Sequence, residues 1–259
     1  MSQKLTLIPG GGDLGFALAE EVLKRGEVPL VVSRTAEDVN KYPGSAGILR
    51  LNADLASSGG RDLMMDRIEQ LGLPIQRVLI TMGEALSKSL VDSSEDELLR
   101  CILINLTAPL LLIRRFLQFQ LEQRVGFHLF LTSSTTFSKV RKTESGYGGA
   151  KGGIAQALLN AVYEWITCHL HAKVTHFVPA GMKTRFWEGD PTDISVFLEP
   201  VVIAPMILDR CERFEQSPDR FDEWVLDRDG QGNPVPRAGR VFKDHLGQFQ
   251  FEPGVIPIF

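Results

Sequence analysis

The chain has 259 residues, of which 44% are hydrophobic and 23% are charged, and its formal net charge is -4. This is the composition of an ordinary globular protein, and the slightly negative charge argues against a general nucleic-acid-binding surface. We expect one domain over residues 1–259, because α/β folds of this size bury a large core in a single unit.

The cysteines and the apolar segments indicate the cellular compartment in which the protein is expected. Cys101, Cys168 and Cys211 are widely spaced and form no C-x-x-C pair, which favours reduced thiols in a cytoplasmic protein. The apolar run at residues 5–8 is interrupted by a proline and glycines, so no signal peptide is expected. The most apolar window, residues 98–117, contains three arginines, and we therefore expect no membrane span.

Short apolar runs alternate with longer segments of helical periodicity along most of the chain. This alternation is typical of βαβ units and predicts a doubly wound (Rossmann) α/β fold with a seven-stranded, mostly parallel sheet and helices on both faces. The predicted strands are Leu5–Ile8, Pro29–Val32, Ile48–Leu51, Arg77–Thr81, Phe127–Thr132, Val174–Val178 and Glu223–Leu226. The predicted helices are Leu14–Arg25, Gly60–Leu71, Glu95–Gln123, Gly148–His169 and Pro200–Phe214. Residues 229–259 change in character and are predicted to form a C-terminal extension.

A glycine-rich turn, Pro9-Gly-Gly-Gly-Asp-Leu-Gly15, joins the first predicted strand to the first helix. Gly10, Gly12 and Gly15 fit the pattern G-x-G-x-x-G, in which small residues let the backbone approach a pyrophosphate at the positive end of a helix. A glycine-rich turn without a ligand is the alternative, but its place at the first strand-to-helix turn favours a dinucleotide site. Asp13 and Leu14 complete the predicted contact surface of this turn.

The second predicted strand ends in Ser33 and Arg34, where a carboxylate would otherwise accept hydrogen bonds from a ribose 2′-hydroxyl. A guanidinium pairs well with phosphate through charge-assisted hydrogen bonds. NADP(H) is therefore favoured over NAD(H). The alternative is that Arg34 is a solvated loop charge.

Tyr147 and Lys151 are four residues apart in a glycine-rich stretch, so a helix there would place both on one face. A neighbouring ammonium stabilises a phenolate and lowers the pKa of a tyrosine, which otherwise titrates near ~10. Ser134 follows an apolar strand, at the carboxyl edge where open α/β sheets bind their ligands. Hydride transfer to a carbonyl carbon leaves an alkoxide, and a hydroxyl donor with a nearby cation meets that need.

In their order and spacing these residues resemble the short-chain dehydrogenase/reductase family, and the resemblance covers roughly residues 4–228. It is carried by the glycine turn, Asp54, Asn105, Thr132-Ser-Ser134, Tyr147-x-x-x-Lys151 and the segment 179–184. The resemblance implies that Tyr147 is the general acid/base and that Ser134 polarises the substrate carbonyl. It also implies that Lys151 lowers the tyrosine pKa and binds ribose, and that Asn105 orders a water relay.

The same resemblance implies the remaining cofactor contacts. Asp54 and Leu55 would flank the adenine, Gly83 is kept after the fourth strand, and Pro179, Met182 and Thr184 would surround the nicotinamide. Family members commonly form dimers or tetramers, so a homodimer or homotetramer is expected. Phe186 and Trp187 lie in a segment that tends to close over the substrate in this family, which suggests an apolar or ring-bearing substrate, with ordinary packing of a lid as the alternative.

Several departures mark a divergent member. The glycine turn is one residue shorter than in the family and begins with Pro9 in place of threonine, and Asp13 stands where a basic residue often binds a 2′-phosphate. Thr81 and Met82 replace the asparagines that brace the fourth strand. The Pro-Gly after the sixth strand becomes Pro179-Ala-Gly181.

The sequence therefore predicts an NADP(H)-dependent oxidoreductase that interconverts a ketone and a secondary alcohol, with a small-molecule carbonyl or alcohol as its partner. An isomerase or dehydratase with the same tyrosine, and a non-catalytic nucleotide-binding protein, are the alternatives. His169, His171 and His176 form no recognised zinc spacing, so no metal is expected.

Overall fold

The computed structural model describes residues 3–40, 42–167, 173–243 and 248–251. Its central feature is a sheet of strand order β3-β2-β1-β4-β5-β6-β7-β8-β9. The strands are β1 (Leu5–Pro9), β2 (Val28–Ser33), β3 (Leu49–Asn52), β4 (Ile75–Ile80), β5 (His128–Thr132), β6 (Lys173–Pro179), β7 (Phe221–Arg228), β8 (Pro234–Lys243) and β9 (Gln248–Phe251). Strands β1 to β7 are parallel, and each matches one of the seven predicted strands. The prediction of a doubly wound, mostly parallel α/β fold is confirmed.

Helices cover both faces of this sheet, as predicted. They are α1 (Asp13–Lys24), α2 (Ser58–Leu71), α3 (Glu95–Ile102), α4 (Ala108–Gln123), α5 (Ser145–Thr167) and α6 (Pro200–Gln216). One core cluster takes Met64 from α2, Phe116 from α4 and Leu158 from α5, and the opposite cluster takes Leu18 from α1 and Ile207 from α6. The strands between them are largely buried because apolar residues point to both faces.

The seven-strand prediction omitted β8 and β9, which lie in the predicted extension. Both run antiparallel, β8 along β7 and β9 along β8. Gly239 permits the close approach of β8, since a Cβ there would lie 2.0 Å from the carbonyl oxygen of Glu223. The segment is polar and rich in glycine and proline, so its sequence carries no clear strand period.

The single helix predicted over residues 95–123 is interrupted by a π-helical turn, Leu103–Thr107. Asn105 lies in this turn, and its side-chain amide donates to the carbonyl of Cys101 at 3.1 Å and to that of Glu84 at 2.9 Å. Because the Asn105 side chain bonds these carbonyls, it replaces part of the regular helical hydrogen bonding. Such π-turns are frequent at functional sites. Helix periodicity alone does not reveal such a turn.

A buried ion-pair network lies at the amino ends of β4 and β5. Arg77 is 2% exposed, and its guanidinium donates to Glu215 at 2.6 and 2.8 Å and to Glu27 at 2.6 Å. Nδ1 of the buried His128 lies 2.9 Å from Glu215, and its Nε2 lies 2.9 Å from the Thr175 hydroxyl. This network joins β4, β5 and β6 to α6.

Some sequence features lie outside the described residues, namely Cys168, His169, His171 and the tail 252–259. His176 is described, and it is buried against Glu223, with its Nδ1 2.8 Å from Oε2 of that carboxylate. In the ranges given above, no helix is long and apolar enough to cross a membrane.

Candidate active site

A cleft of about 700 Å³ lies at the carboxyl ends of β1 to β6. All predicted cofactor residues line it: Gly10, Gly12, Asp13, Leu14, Gly15, Ser33, Arg34, Asp54, Leu55, Gly83, Tyr147, Lys151, Pro179, Met182 and Thr184. Ser134 also lines the cleft, whereas Asn105 is fully buried behind it. This arrangement follows from the topology, because parallel strands end at the same edge of the sheet.

The glycine-rich turn needs its glycines for two different reasons. Gly10 has a φ of 131°, which side chains rarely adopt, and a Cβ on Gly15 would lie 1.9 Å from the carbonyl oxygen of Gly10. A Cβ on Gly12 would meet nothing within 4 Å, so its Cα faces open space in the cleft. Backbone N–H groups at the start of α1 therefore face space that a phosphate could fill.

Thr81 braces this turn in place of the asparagines that the family has after the fourth strand. Its hydroxyl donates to the carbonyl of Gly10 at 3.0 Å, and its backbone N–H donates to the carbonyl of Pro9 at 2.9 Å. At this departure from the family pattern, Thr81 thus joins the end of β4 to the glycine-rich turn.

Asp13 is held by an arginine from the far side of the cleft. Nε of Arg185 donates to Oδ1 of Asp13 at 3.0 Å, and the Arg185 backbone N–H donates to Oδ2 at 2.7 Å. The negative charge of Asp13, which weakened the assignment of NADP(H) from the sequence, is therefore neutralised. Sequence reasoning missed Arg185, since the partners are 172 residues apart.

Arg34 directly follows β2 and lines the cleft at the end of that strand. Its Nη2 is 3.4 Å from a carboxylate oxygen of Glu84, and its side chain is 54% exposed. Glu84 also accepts a hydrogen bond from Arg100 at 2.6 Å. Because the Arg34 contact is long and exposed, its guanidinium is free to turn towards a phosphate.

Tyr147 and Lys151 lie on α5, which begins at Ser145 rather than at the predicted Gly148. Nζ of Lys151 lies 5.7 Å from the centre of the Tyr147 ring. The Ser134 side chain acts on the Tyr147 phenol, whose pKa it lowers, and the Ser134 hydroxyl donates to the Thr136 hydroxyl at 3.0 Å. The structure thus brings the predicted phenol, ammonium and serine hydroxyl together in one cleft.

Burial shifts the pKa of both titratable groups. It raises the pKa of Tyr147 above the usual tyrosine value, and the hydrogen bond with Ser134 opposes this rise. Burial also lowers the pKa of Lys151 to about 8. Lowering of the tyrosine pKa by Lys151 was expected from the sequence, but the pKa of Tyr147 is raised here by burial and lowered by Ser134 and the charge of Arg141 rather than by Lys151.

Lys151 is 3% exposed, and no hydrogen-bond acceptor for its Nζ lies among the described residues. A buried ammonium that faces a cleft is stabilised by oxygen-rich ligands such as a ribose. The chemistry of the site therefore fits a nucleotide.

Asn105 acts behind the cleft. Its Oδ1 accepts from the Glu84 backbone N–H at 3.1 Å while its amide donates to the Glu84 carbonyl. A Cβ on Gly83 would lie 3.1 Å from Asn105 Oδ1 and 3.3 Å from Lys151 Nζ. The side chain thus fixes the loop after β4 beside Lys151, and the water relay implied by the family stays a prediction.

Aromatic side chains line the cleft beside Tyr147. The Phe186 ring packs edge-on against Tyr147, with ring centres 5.4 Å apart, and against Trp187 at 5.3 Å. Trp187 Nε1 donates to the carbonyl of Met182 at 3.0 Å, which fixes the segment after β6. Arg141 also lines the cleft.

A glycine-rich turn before a helix at the carboxyl edge of a parallel sheet is a feature of dinucleotide-binding α/β proteins, and a phenol, an ammonium and a hydroxyl at the same edge suit proton transfer. Comparison with known sequences agrees: the profile of the short chain dehydrogenase family matches residues 4–194. The chain belongs to the short-chain dehydrogenase/reductase family.

Two curated relatives are similar over most of their length. An uncharacterized short-chain type dehydrogenase/reductase of Sinorhizobium fredii is 26% identical over 189 residues, covering 71% of this chain and 72% of the relative. The NADP-dependent (R)-specific alcohol dehydrogenase of Lentilactobacillus kefiri is 23% identical over 186 residues, covering 70% and 74%. Among solved structures, the alcohol dehydrogenase of Thermococcus sibiricus complexed with 5-hydroxy-NADP has a TM-score of 0.72 at 18% identity, covering 90% of this chain and 100% of that chain.

Proposed function

We propose that this protein is an NADP(H)-dependent oxidoreductase that interconverts a ketone and a secondary alcohol. The observation that carries the proposal is the single cleft in which Ser134, Tyr147 and Lys151 face the glycine-rich turn and Arg34. Membership of the family supports an oxidoreductase.

In the reductive direction, Tyr147 donates its phenolic proton to the carbonyl oxygen, and Ser134 stabilises the charge that develops there. Pro179, Met182 and Thr184 would hold the nicotinamide, which would supply the hydride that completes the alcohol with the proton from Tyr147. Lys151 stabilises the phenolate left on Tyr147 and holds the nucleotide ribose. In the oxidative direction the phenolate accepts the hydroxyl proton.

The proposal is tested by the oxidation of NADPH in the presence of a panel of ketones, including aromatic and long-chain members. Turnover followed by loss of the reduced-nicotinamide absorbance, with one alcohol formed per NADPH, is the expected result. A chain that binds NADPH but converts none of these ketones would contradict the proposal. Turnover of another substrate without a change in that absorbance would identify an isomerase or dehydratase.

The cofactor preference is a separate prediction that depends on Arg34. Arg34→Ala should weaken NADPH binding by about tenfold, since a charge-assisted pair with the 2′-phosphate is lost, and should leave NADH binding nearly unchanged. The dissociation constants of both cofactors, measured by fluorescence titration, give the ratio.

Arg100→Ala is the matched control, because Arg100 pairs with the same Glu84 but does not line the cleft. It should leave the ratio of NADPH to NADH affinity unchanged. An unchanged ratio in Arg34→Ala would show that the arginine does not select the cofactor.

A homodimer or homotetramer stays a prediction, to be tested by the molar mass in solution. Its support is a set of apolar side chains exposed on α3 and α4, namely Leu99, Ile102, Leu110 and Leu121.

A further inference from the structure

Arg185 joins the segment after β6 to the opposite side of the cleft. Besides its hydrogen bonds to Asp13, its guanidinium carbon lies 4.1 Å from the centre of the Tyr42 ring. Asp13 is the first residue of α1, and Tyr42 lies in the connection between β2 and β3. One side chain therefore links three segments that are distant in sequence.

The strand order gives this contact its significance. Strands β4 and β5 lie between β1 and β6 in the sheet, so the contact joins the start of α1, which follows β1, to a segment that follows a strand three places away. These ends form the floor of the cleft, and Asp13, Tyr42 and Arg185 all line it. The contact therefore joins two sides of the cleft.

Tyr42, which receives the Arg185 guanidinium, is held in place by its neighbours. The Tyr42 ring stacks on the Phe16 ring with centres 4.6 Å apart and planes 13° apart, and the Arg50 guanidinium lies 4.7 Å from the centre of the Phe16 ring. Tyr42 and Phe16 are 8% and 6% exposed, whereas the Arg185 side chain is 37% exposed. The exposed arginine is thus the end at which the contact opens most readily.

We propose that Asp13, Tyr42 and Arg185 form a clasp that retains a bound nicotinamide dinucleotide by holding residues 182–188 closed over it. The clasp rests on the proposed function only in that the cleft binds such a dinucleotide. In a simpler alternative, Arg185 merely cancels the negative charge of Asp13 next to the diphosphate. The two explanations predict opposite effects of removing the negative charge of Asp13. In the first, the removal opens the clasp and weakens retention of the dinucleotide. If charge alone mattered, the removal would strengthen diphosphate binding.

The test compares Asp13→Asn, Arg185→Met and the double variant by the rate at which NADPH dissociates, measured by stopped-flow fluorescence. Each single substitution should speed release about fivefold, from loss of the partly exposed ion pair and, in Arg185→Met, of the contact with Tyr42. The double variant should release NADPH no faster than the faster single variant, because both remove the same closure. The dissociation rate of each single variant should also depend less on salt than that of the wild type, because one exposed ion pair is lost while the Arg34 contact remains.

Lys183→Met is the matched control, since Lys183 pairs with Glu199 at 2.8 Å in the same segment and does not line the cleft. Its release rate should equal that of the wild type, and thermal unfolding checks that every variant is folded. Slower release or tighter binding in Asp13→Asn would overturn the clasp in favour of charge cancellation, and unchanged rates in both single variants would also overturn it. If the wild-type chain bound no NADPH, the proposed function would fail and the clasp with it.

Discussion

Tyr147→Phe is expected to lower kcat by about a thousandfold, which is the range of a lost general acid/base. The Tyr147 hydroxyl is the proton donor of the proposed reaction, whereas the ring packs against Phe186 and remains in place. Because phenylalanine keeps that packing, the dissociation constant for NADPH should stay within about twofold of the wild type. Steady-state kinetics with the best ketone of the panel and fluorescence titration of NADPH measure the two effects separately.

Tyr163→Phe provides the control on the same helix, since Tyr163 is 47% exposed and lies outside the cleft. It should leave kcat and cofactor binding unchanged. Full activity in Tyr147→Phe would contradict the assignment of this tyrosine as the acid/base.

Arg77→Met should lower the free energy of unfolding by about 3 kcal/mol, because removal of one partner from a buried ion pair leaves the other charge uncompensated. Glu215 and Glu27 would then face each other's charge across the amino ends of β4 and β5 without the guanidinium between them. Urea unfolding at pH 7 measures the loss. Arg115→Met, which removes an exposed pair with Asp62, should cost less than about 1 kcal/mol.

The same network makes stability depend on pH in the acid range. Burial alone would raise the pKa of Glu215, but hydrogen bonds from His128 and Arg77 and the charge of Arg77 lower it from 4.5 to about 2. Since the folded pKa is lower than the unfolded one, the stabilisation is complete above pH 4.5 and is lost as the pH falls towards 2. Arg77→Met should flatten this decline, and a stability within about 1 kcal/mol of the wild type at pH 7 would show that the network contributes little.

Local patterns in the sequence determined most of the fold. The parallel strands and the helices between them follow from apolar runs and helical periodicity, which depend on residues close together in the chain. The glycine-rich turn and the spacing of Tyr147 and Lys151 are local in the same sense. The residues of this turn, this helix and the end of β2 line one cleft, together with those that the family resemblance implied.

The π-helical turn, which contains one extra residue, and the strands that reverse the direction of the chain were harder to predict. The π-turn at Asn105 inserts into a helix whose apolar period continues on both sides, so periodicity showed one helix where the structure has two. Strands β8 and β9 carry no clear alternation, and pairing with the edge of β7 decides their structure.

The sequence by itself thus determined the order of elements, the family-like motifs and the type of chemistry that Tyr147, Lys151 and Ser134 support. Only the tertiary structure decided that Arg185 reaches Asp13, that Thr81 braces the glycine-rich turn and that burial governs the pKa of Tyr147. The physical reason is that motifs are set by spacing along the chain. Ion pairs, bracing hydrogen bonds and burial depend instead on which distant segments the completed sheet brings to one edge.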